Sequence, residues 1–249
     1  MSGHSKWATI KHKKAKTDAV RGRMFTKVVK EITVAARIGG GDINGNPRLR
    51  LAVDKAKAEN MPQDNIKRAI QKGTGELPGI QYEELTYEGY GPKGIAILVD
   101  VTTDNKNRTL GEIRNIFDKT GGTLGAAGSV SWNFKRKGLM TFDKKAVNEE
   151  KLTTAAINAG AEDINIDADE IEVITSPDDF IKVRDALKEA KFEPVTAEIT
   201  MIPSTTVKVA DEDAQKVLNL VSKLEDNEDV QAVHANFDIP DEIIAKLVE

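Results

Sequence analysis

Apolar residues recur at helical spacing through the first third of the chain and largely at a period of two afterwards. This predicts a helical N-terminal region followed by mixed strands and helices. Phe25, Val28, Val29, Ile32, Ala35 and Ala36 form one helical stripe, capped at its start by Thr17 or Asp18 and stopped at Gly39-Gly40-Gly41. Asn46-Pro47 opens a second helix, because Asn accepts from free helix amides and Pro suits the first turn. That helix buries Leu49, Ala52, Val53 and Ala56. A third, carrying Ile66, Ala69 and Ile70, is expected to stop at Gly73. Three helices with so few large apolar residues would be marginal alone, so they are expected to dock on the rest of the chain.

Beyond a linker at Thr74–Gly79 the pattern turns to strands. Tyr82, Leu85 and Tyr87 suggest the first, and the apolar run Ile95–Val101 the second. Asn107 is a candidate cap for a helix with Leu110, Ile113, Ile116 and Phe117 on one face, and Ser129–Phe134 alternates as a strand that carries Trp132. From Leu139 to Ile202 the order is strand, helix, two strands, helix, strand, which is the ferredoxin-like split βαβ arrangement. A strand at Thr205–Val209, a helix at Asp211–Leu224 and a strand at Val230–Ala235 supply half of another such unit, and Gly94–Phe134 supplies the other half. The economical reading is an α+β protein with an N-terminal three-helix domain plus two ferredoxin-like α+β domains, one inserted into the other. The corresponding ranges are 1–78 for the basic arm and helices, 79–137 with 204–249 for the discontinuous domain, and 138–203 for the insert. The alternative is that the two halves are separate lobes.

Charge changes this picture more than composition does. The net charge is -4 over 249 residues, yet residues 1–72 hold 17 of the 36 Lys and Arg and only 6 of the 40 Asp and Glu. That is +11 at the front against -15 behind. Like charges repel, so such segregation opposes folding and points to a polyanionic partner, DNA or RNA. The absence of cysteine excludes a disulfide framework, a thiol nucleophile and a thiolate zinc site, and fits a cytoplasmic protein. No apolar run reaches the roughly 20 residues a membrane span needs, and the basic N-terminus lacks the apolar stretch of a secretory signal.

The densest cations are Lys6, Lys11, Lys13, Lys14, Lys16, Arg21 and Arg23, with Asp18 the only acid among the first 23 residues. They are read as phosphate contacts. Trp7 lies inside the cluster, where it stacks on an unpaired base, wedges at a groove, or docks on the helices. His12, with His4, adds a minor donor. Lys27, Arg48 and Arg50, with Lys30 and Arg37, either extend the basic face or form the wet side of their helices, and Lys67, Arg68 and Lys72 are weaker candidates of the same kind. No catalytic motif is present: there is no G-x-S-x-G elbow and no H-E-x-x-H. Gly39–Gly41 and Gly89–Gly94 fit neither nucleotide-loop pattern. The acids from Glu162 to Glu172 miss the calcium-loop template and read as a solvated turn. No cofactor, metal or small-molecule substrate is therefore expected, and the sequence carries no mark of oligomeric state.

Several segments resemble the YebC/PmpR family: Met1–Trp7, Lys11–Lys16, Gly39–Asp42, Asn46–Arg50, Tyr87–Pro92, Asp104–Thr109 and Met201–Ser204. They run in order over about 200 residues and are specific together. The resemblance implies a three-domain α+β protein with a helical N-terminal domain. It also implies a DNA-binding transcriptional regulator, or a translation factor acting at the ribosome. Together with the charge pattern it gives a non-catalytic nucleic-acid-binding regulator of gene expression. An enzyme acting on a phosphorylated metabolite is the reading from another class, and it lacks a catalytic constellation.

Overall fold

The computed structural model describes residues 18–240 and 243, the side chains of 18–21 and 211 excepted. In chain order the elements are α1 (Asp18–Gly39), α2 (Pro47–Ala58), α3 (Gln63–Thr74), β1 (Glu83–Tyr90), β2 (Ala96–Thr103), α4 (Lys106–Lys119) and β3 (Thr123–Leu124). There follow β4 (Phe134–Asp143), α5 (Glu149–Ala159), β5 (Asp163–Ile166), β6 (Glu170–Thr175), α6 (Phe180–Glu189), β7 (Thr196–Pro203) and β8 (Val207–Lys208). The last of the described elements are α7 (Asp211–Asp226), β9 (Val230–Ala235) and β10 (Phe237–Asp238). Two compact units result. One holds the described residues up to Ser131 together with 210–235, and the other holds 132–209 with the residues from Asn236.

In the first unit, Val28, Ile32, Ala35 and Ala36 of α1 pack on Leu49, Ala52, Val53 and Ala56 of α2 and on Ile66 and Ala69 of α3. The helical stripes place these residues inward, as the spacing requires. Asn46 caps α2 as expected: its Oδ1 accepts from the Leu49 amide, and its Nδ2 donates to the Ala35 carbonyl, tying α2 to α1. The third helix does not stop at Gly73. It runs to Thr74 and ends on Gly75, whose φ is 83°. Gly73 lies inside the helix for a packing reason, since a Cβ there would sit 2.4 Å from the Thr33 carbonyl oxygen of α1. The close approach of α3 to α1 thus requires glycine at that position.

The sheet of this unit has the order β3-β1-β2-β9, antiparallel throughout. A strand from beyond the insert, β9, therefore pairs with β2 from before it. The sequence assigned the remaining place in this sheet to Thr205–Val209. The structure gives it to β1, and only Val207 and Lys208 are extended there, paired in parallel with Phe237 and Asp238 in the other unit. A tight connection at Pro92–Gly94 joins β1 to β2. Eight residues paired across so short a loop close at less entropic cost than a strand more than 100 residues further along.

The second unit contains the insert. Its sheet, β5-β6-β4-β7, is antiparallel throughout, and its strand order is that of the split βαβ arrangement. Met140, Phe142, Leu152, Val173, Phe180, Val183 and Leu187 are buried in it. The expected strand Ser129–Phe134 is absent: Ser131–Asn133 is a 3-10 turn, and β4 begins at Phe134.

The cause lies in Glu88 of β1. This buried carboxylate accepts from the amides of Gly128, Val130 and Ser131 at 2.7–2.9 Å, so those amides are withheld from a strand ladder. Burial raises the carboxyl pKa, but the three amide bonds outweigh it and hold the group below its usual value. Beside it, Gly89 admits the Phe117 ring, which a Cβ would meet at 2.7 Å. Hydrogen bonds to a buried charge are worth about 1.5–3 kcal/mol, so Glu88→Gln should lower stability by about that much in urea unfolding at neutral pH. A depressed carboxyl stabilises the fold above its unfolded pKa of about 4.3, and that contribution fades as pH falls below it. The wild-type and variant stabilities should therefore converge below about pH 4.

Candidate nucleic-acid interface

Lys6, Trp7, Lys11, His12, Lys13, Lys14 and Lys16 lie outside the described residues, and of Arg21 only the helical backbone is described. The helical cations that can be placed fall into two groups. The first is engaged within its own unit. Arg23, Lys27 and Lys30 recur along one face of α1 and meet the C-terminal end of α7. Arg23 pairs with Asp226 at 3.3 Å, Lys27 donates to the Glu225 carbonyl, and Lys30 donates to the Glu228 carbonyl at 3.0 Å. Cations suit that end because the last helix carbonyls lack partners and carry the negative end of the dipole. Arg48 grips Glu31 through two nitrogens, at 2.7 and 3.0 Å, and also reaches Glu84. Arg50 donates to the Asn44 and Ile43 carbonyls.

The second group is exposed. Arg37 on α1, Lys55 and Lys57 on α2, and Lys67, Arg68 and Lys72 on α3 point to solvent. None of these six has an ion pair among the described residues. The free cations of the helices thus include the three that sequence reasoning rated weakest.

Sequence reasoning missed the role of the Asp104–Thr109 segment. The cap of α4 is Asn105, whose Oδ1 accepts from the Arg108 amide, not Asn107. This places Arg108 and Thr109 on the first turn, directed at Asp229. Asp229 is 4% exposed and accepts from Lys30 Nζ at 2.6 Å, Arg108 Nη2 at 2.6 Å, Thr109 Oγ1 at 2.6 Å and Thr103 Oγ1 at 3.1 Å. Burial pushes its pKa up, and the bonds from Lys30, Thr109 and Arg108 prevail and hold it far below the carboxylate range. Lys30 also lies 5.7 Å from the Tyr82 ring centroid. Asp229 lines a polar cleft of about 530 Å³, together with Asp104, Glu112, Asp226 and Glu228. Its two cations are already neutralised and its other charged residues are acidic, so it would repel phosphate.

No group of three or more metal-ligating side chains is placed to hold an ion among the described residues. The acids of the insert are partly used in pairing: Glu162 with Lys137, and Asp169 with Lys145. No described helix is long and apolar enough to cross a membrane.

The described residues form an α+β scaffold with a helical, cation-rich front. Comparison with known proteins specifies it further. Residues 5–76 match the family model of the TACO1/YebC protein N-terminal domain, and residues 82–237 match that of the TACO1/YebC second and third domain. The chain belongs to the TACO1/YebC family. It is 58% identical over 248 residues to a protein of Geotalea uraniireducens and 59% identical to one of Geobacter sulfurreducens, each pair covered over 100% of both chains. Both relatives carry the name "probable transcriptional regulatory protein". A crystal structure of a conserved hypothetical protein from Aquifex aeolicus is similar with a TM-score of 0.84 and 48% identity, covering 92% of this chain and 95% of that one.

Proposed function

We propose that this protein regulates gene expression by binding nucleic acid in the cytosol, without catalysis, as a DNA-binding transcriptional regulator. The observation that carries the reading is the charge segregation, +11 over residues 1–72 and -15 over the rest. Lys6, Lys11, Lys13, Lys14, Lys16 and Arg21 make the principal phosphate contacts, with Trp7 and His12 among them. The six exposed helical cations extend the surface. Arg23, Lys27, Arg48 and Arg50 serve it at its border, where their internal acids and carbonyls compete with phosphate. Trp7 amid lysines favours a second reading, an RNA contact at the ribosome in translation, because unpaired bases stack on aromatic rings.

Binding of the full chain to duplex DNA and to a ribosomal RNA fragment, measured over about 50–200 mM salt, tests the proposal. For six or more phosphate contacts the affinity should fall by about 10³ or more across that range. Tighter duplex binding supports transcriptional control, and tighter RNA binding supports the second reading. No attachment to either in dilute buffer would overturn both.

A further inference from the structure

The insert carries an aromatic side chain that folding leaves outside. Trp132 is 74% exposed, the most exposed large hydrophobic among the described residues. An indole exposed to this extent offers a face on which an unpaired base can stack.

Its backbone is fixed. Trp132 occupies the middle of the 3-10 turn Ser131–Asn133. Asn133, next in the chain, is 2% exposed and clamps Thr205 from three sides. Its Oδ1 accepts from the Thr205 amide at 3.0 Å and from the Thr205 hydroxyl at 2.8 Å, and its Nδ2 donates to the Thr205 carbonyl at 3.1 Å. The Ser204 amide closes the clamp on the Asn133 carbonyl at 2.6 Å. A ring on so constrained a turn loses little backbone freedom when a ligand stacks on it.

The charges beside it have one sign. Lys135 and Arg136 follow at the start of β4, and both are exposed. Neither has an ion pair among the described residues. The opposing register places Ile202 and Met201 across from them, so no acid faces them on β7. An exposed ring with two free cations within four residues is the combination that binds a single strand: the ring stacks on a base and the cations hold the phosphates. Duplexes keep their bases stacked inside, whereas folded RNA exposes unpaired ones.

We infer that Trp132, Lys135 and Arg136 form a contact surface for single-stranded RNA, with an unpaired base stacked on the Trp132 indole. This rests on the nucleic-acid reading above and adds a surface far in sequence from the basic N-terminal region.

The full chain and its Trp132→Ala, Trp132→Phe and Lys135→Glu/Arg136→Glu variants would be titrated with a labelled oligouridylate of about 12 nucleotides, within the site sizes known for single-strand binders. An RNA duplex and a single-stranded DNA of matched length complete the set. Trp132→Ala should weaken single-stranded RNA binding by about tenfold, and Trp132→Phe should restore most of it. Duplex binding should stay unchanged in both. The charge-reversed variant should lose RNA affinity and show a shallower salt slope. Thermal unfolding of each variant, read beside the titrations, separates a loss of binding from a loss of folding. Wild-type RNA affinity in Trp132→Ala overturns the inference. So does a loss of self-association in that variant with RNA binding intact, which would make the ring a contact between copies. An equal loss on single-stranded DNA overturns the assignment to RNA. In each of these outcomes the wild type still binds duplex or ribosomal RNA, so the wider proposal stands. Its own failure shows separately, as no binding by the wild type.

Discussion

Replacing Asp229 with Ala should destabilise the protein by about 3–5 kcal/mol, the largest effect expected of any single substitution here. The carboxylate is buried and takes four side-chain donors. Removing it leaves the Lys30 ammonium, 7% exposed, without its counter-ion, and leaves two threonine hydroxyls without an acceptor. The magnitude comes from the stranded charge more than from the lost attraction, and that gives the prediction a signature. Replacing both members of the pair, as in Lys30→Met with Asp229→Leu, should be milder than Asp229→Ala alone, because no charge is then buried unpaired. Urea unfolding of Lys30→Met, of Asp229→Leu and of the double variant would show a coupling above about 0.5 kcal/mol. Additive losses would mean that the node is wetter or looser than its geometry. Acid supplies an independent check. The depressed carboxyl stabilises the fold above its unfolded pKa of about 3.9, and this contribution is lost as pH falls below that value toward the folded pKa. The wild type should therefore weaken below about pH 4, while Asp229→Asn lacks that part of the slope. The node also explains how helices with a small core hold their place: Lys30 joins α1 to the turn before β9, and Arg108 and Thr109 join α4 to the same carboxylate.

The helical stripes were legible because burial on one face writes itself at 3.6-residue spacing, and Leu49, Ala52, Val53 and Ala56 are all buried as their positions require. The insert was legible for the same reason, since its strands and helices follow one another in order. Ser129–Phe134 misled because alternation is also what a turn shows when its amides are withdrawn by a distant side chain. Glu88 lies about 40 residues upstream, and no local pattern announces it. The strand at Thr205–Val209 misled because propensity does not state a partner. Asn105 and Asn107 are equally good caps in isolation, and only the helix phase that lets Arg108 and Thr109 reach Asp229, 121 and 120 residues away, separates them. Charge was legible as a sum and not as an arrangement. Arg48 and Lys30 count toward the basic front third, yet each is matched to an acid whose position the sequence does not reveal.

That distinction sets the last expectation. Changing Lys11, Lys13, Lys14 and Lys16 together to Glu should reduce affinity for the preferred nucleic acid by about 10³ or more at about 0.1 M salt. Four phosphate contacts are removed, and four negative charges are set against the same polyanion. If all four lysines touch duplex phosphates, the slope of log affinity against log salt should shrink by about 3–4, since each contact contributes about 0.9. Arg48→Ala is the matched contrast. Its guanidinium is held by Glu31 and Glu84, which compete with phosphate at the border of the surface, so its loss should appear chiefly as reduced stability, with the salt slope falling by less than the about 0.9 of one full contact. Lys67, Arg68 and Lys72 changed to Glu should fall between the two, because these cations are exposed without acidic partners among the described residues. An unchanged slope in the four-lysine variant, with binding still present, would remove the arm from the interface and transfer the role to the helices. A large binding defect in Arg48→Ala at unaltered stability would show that phosphate displaces its carboxylates. The two variants together decide whether the positive front of this protein acts as a uniform field or through the few cations that folding leaves uncommitted.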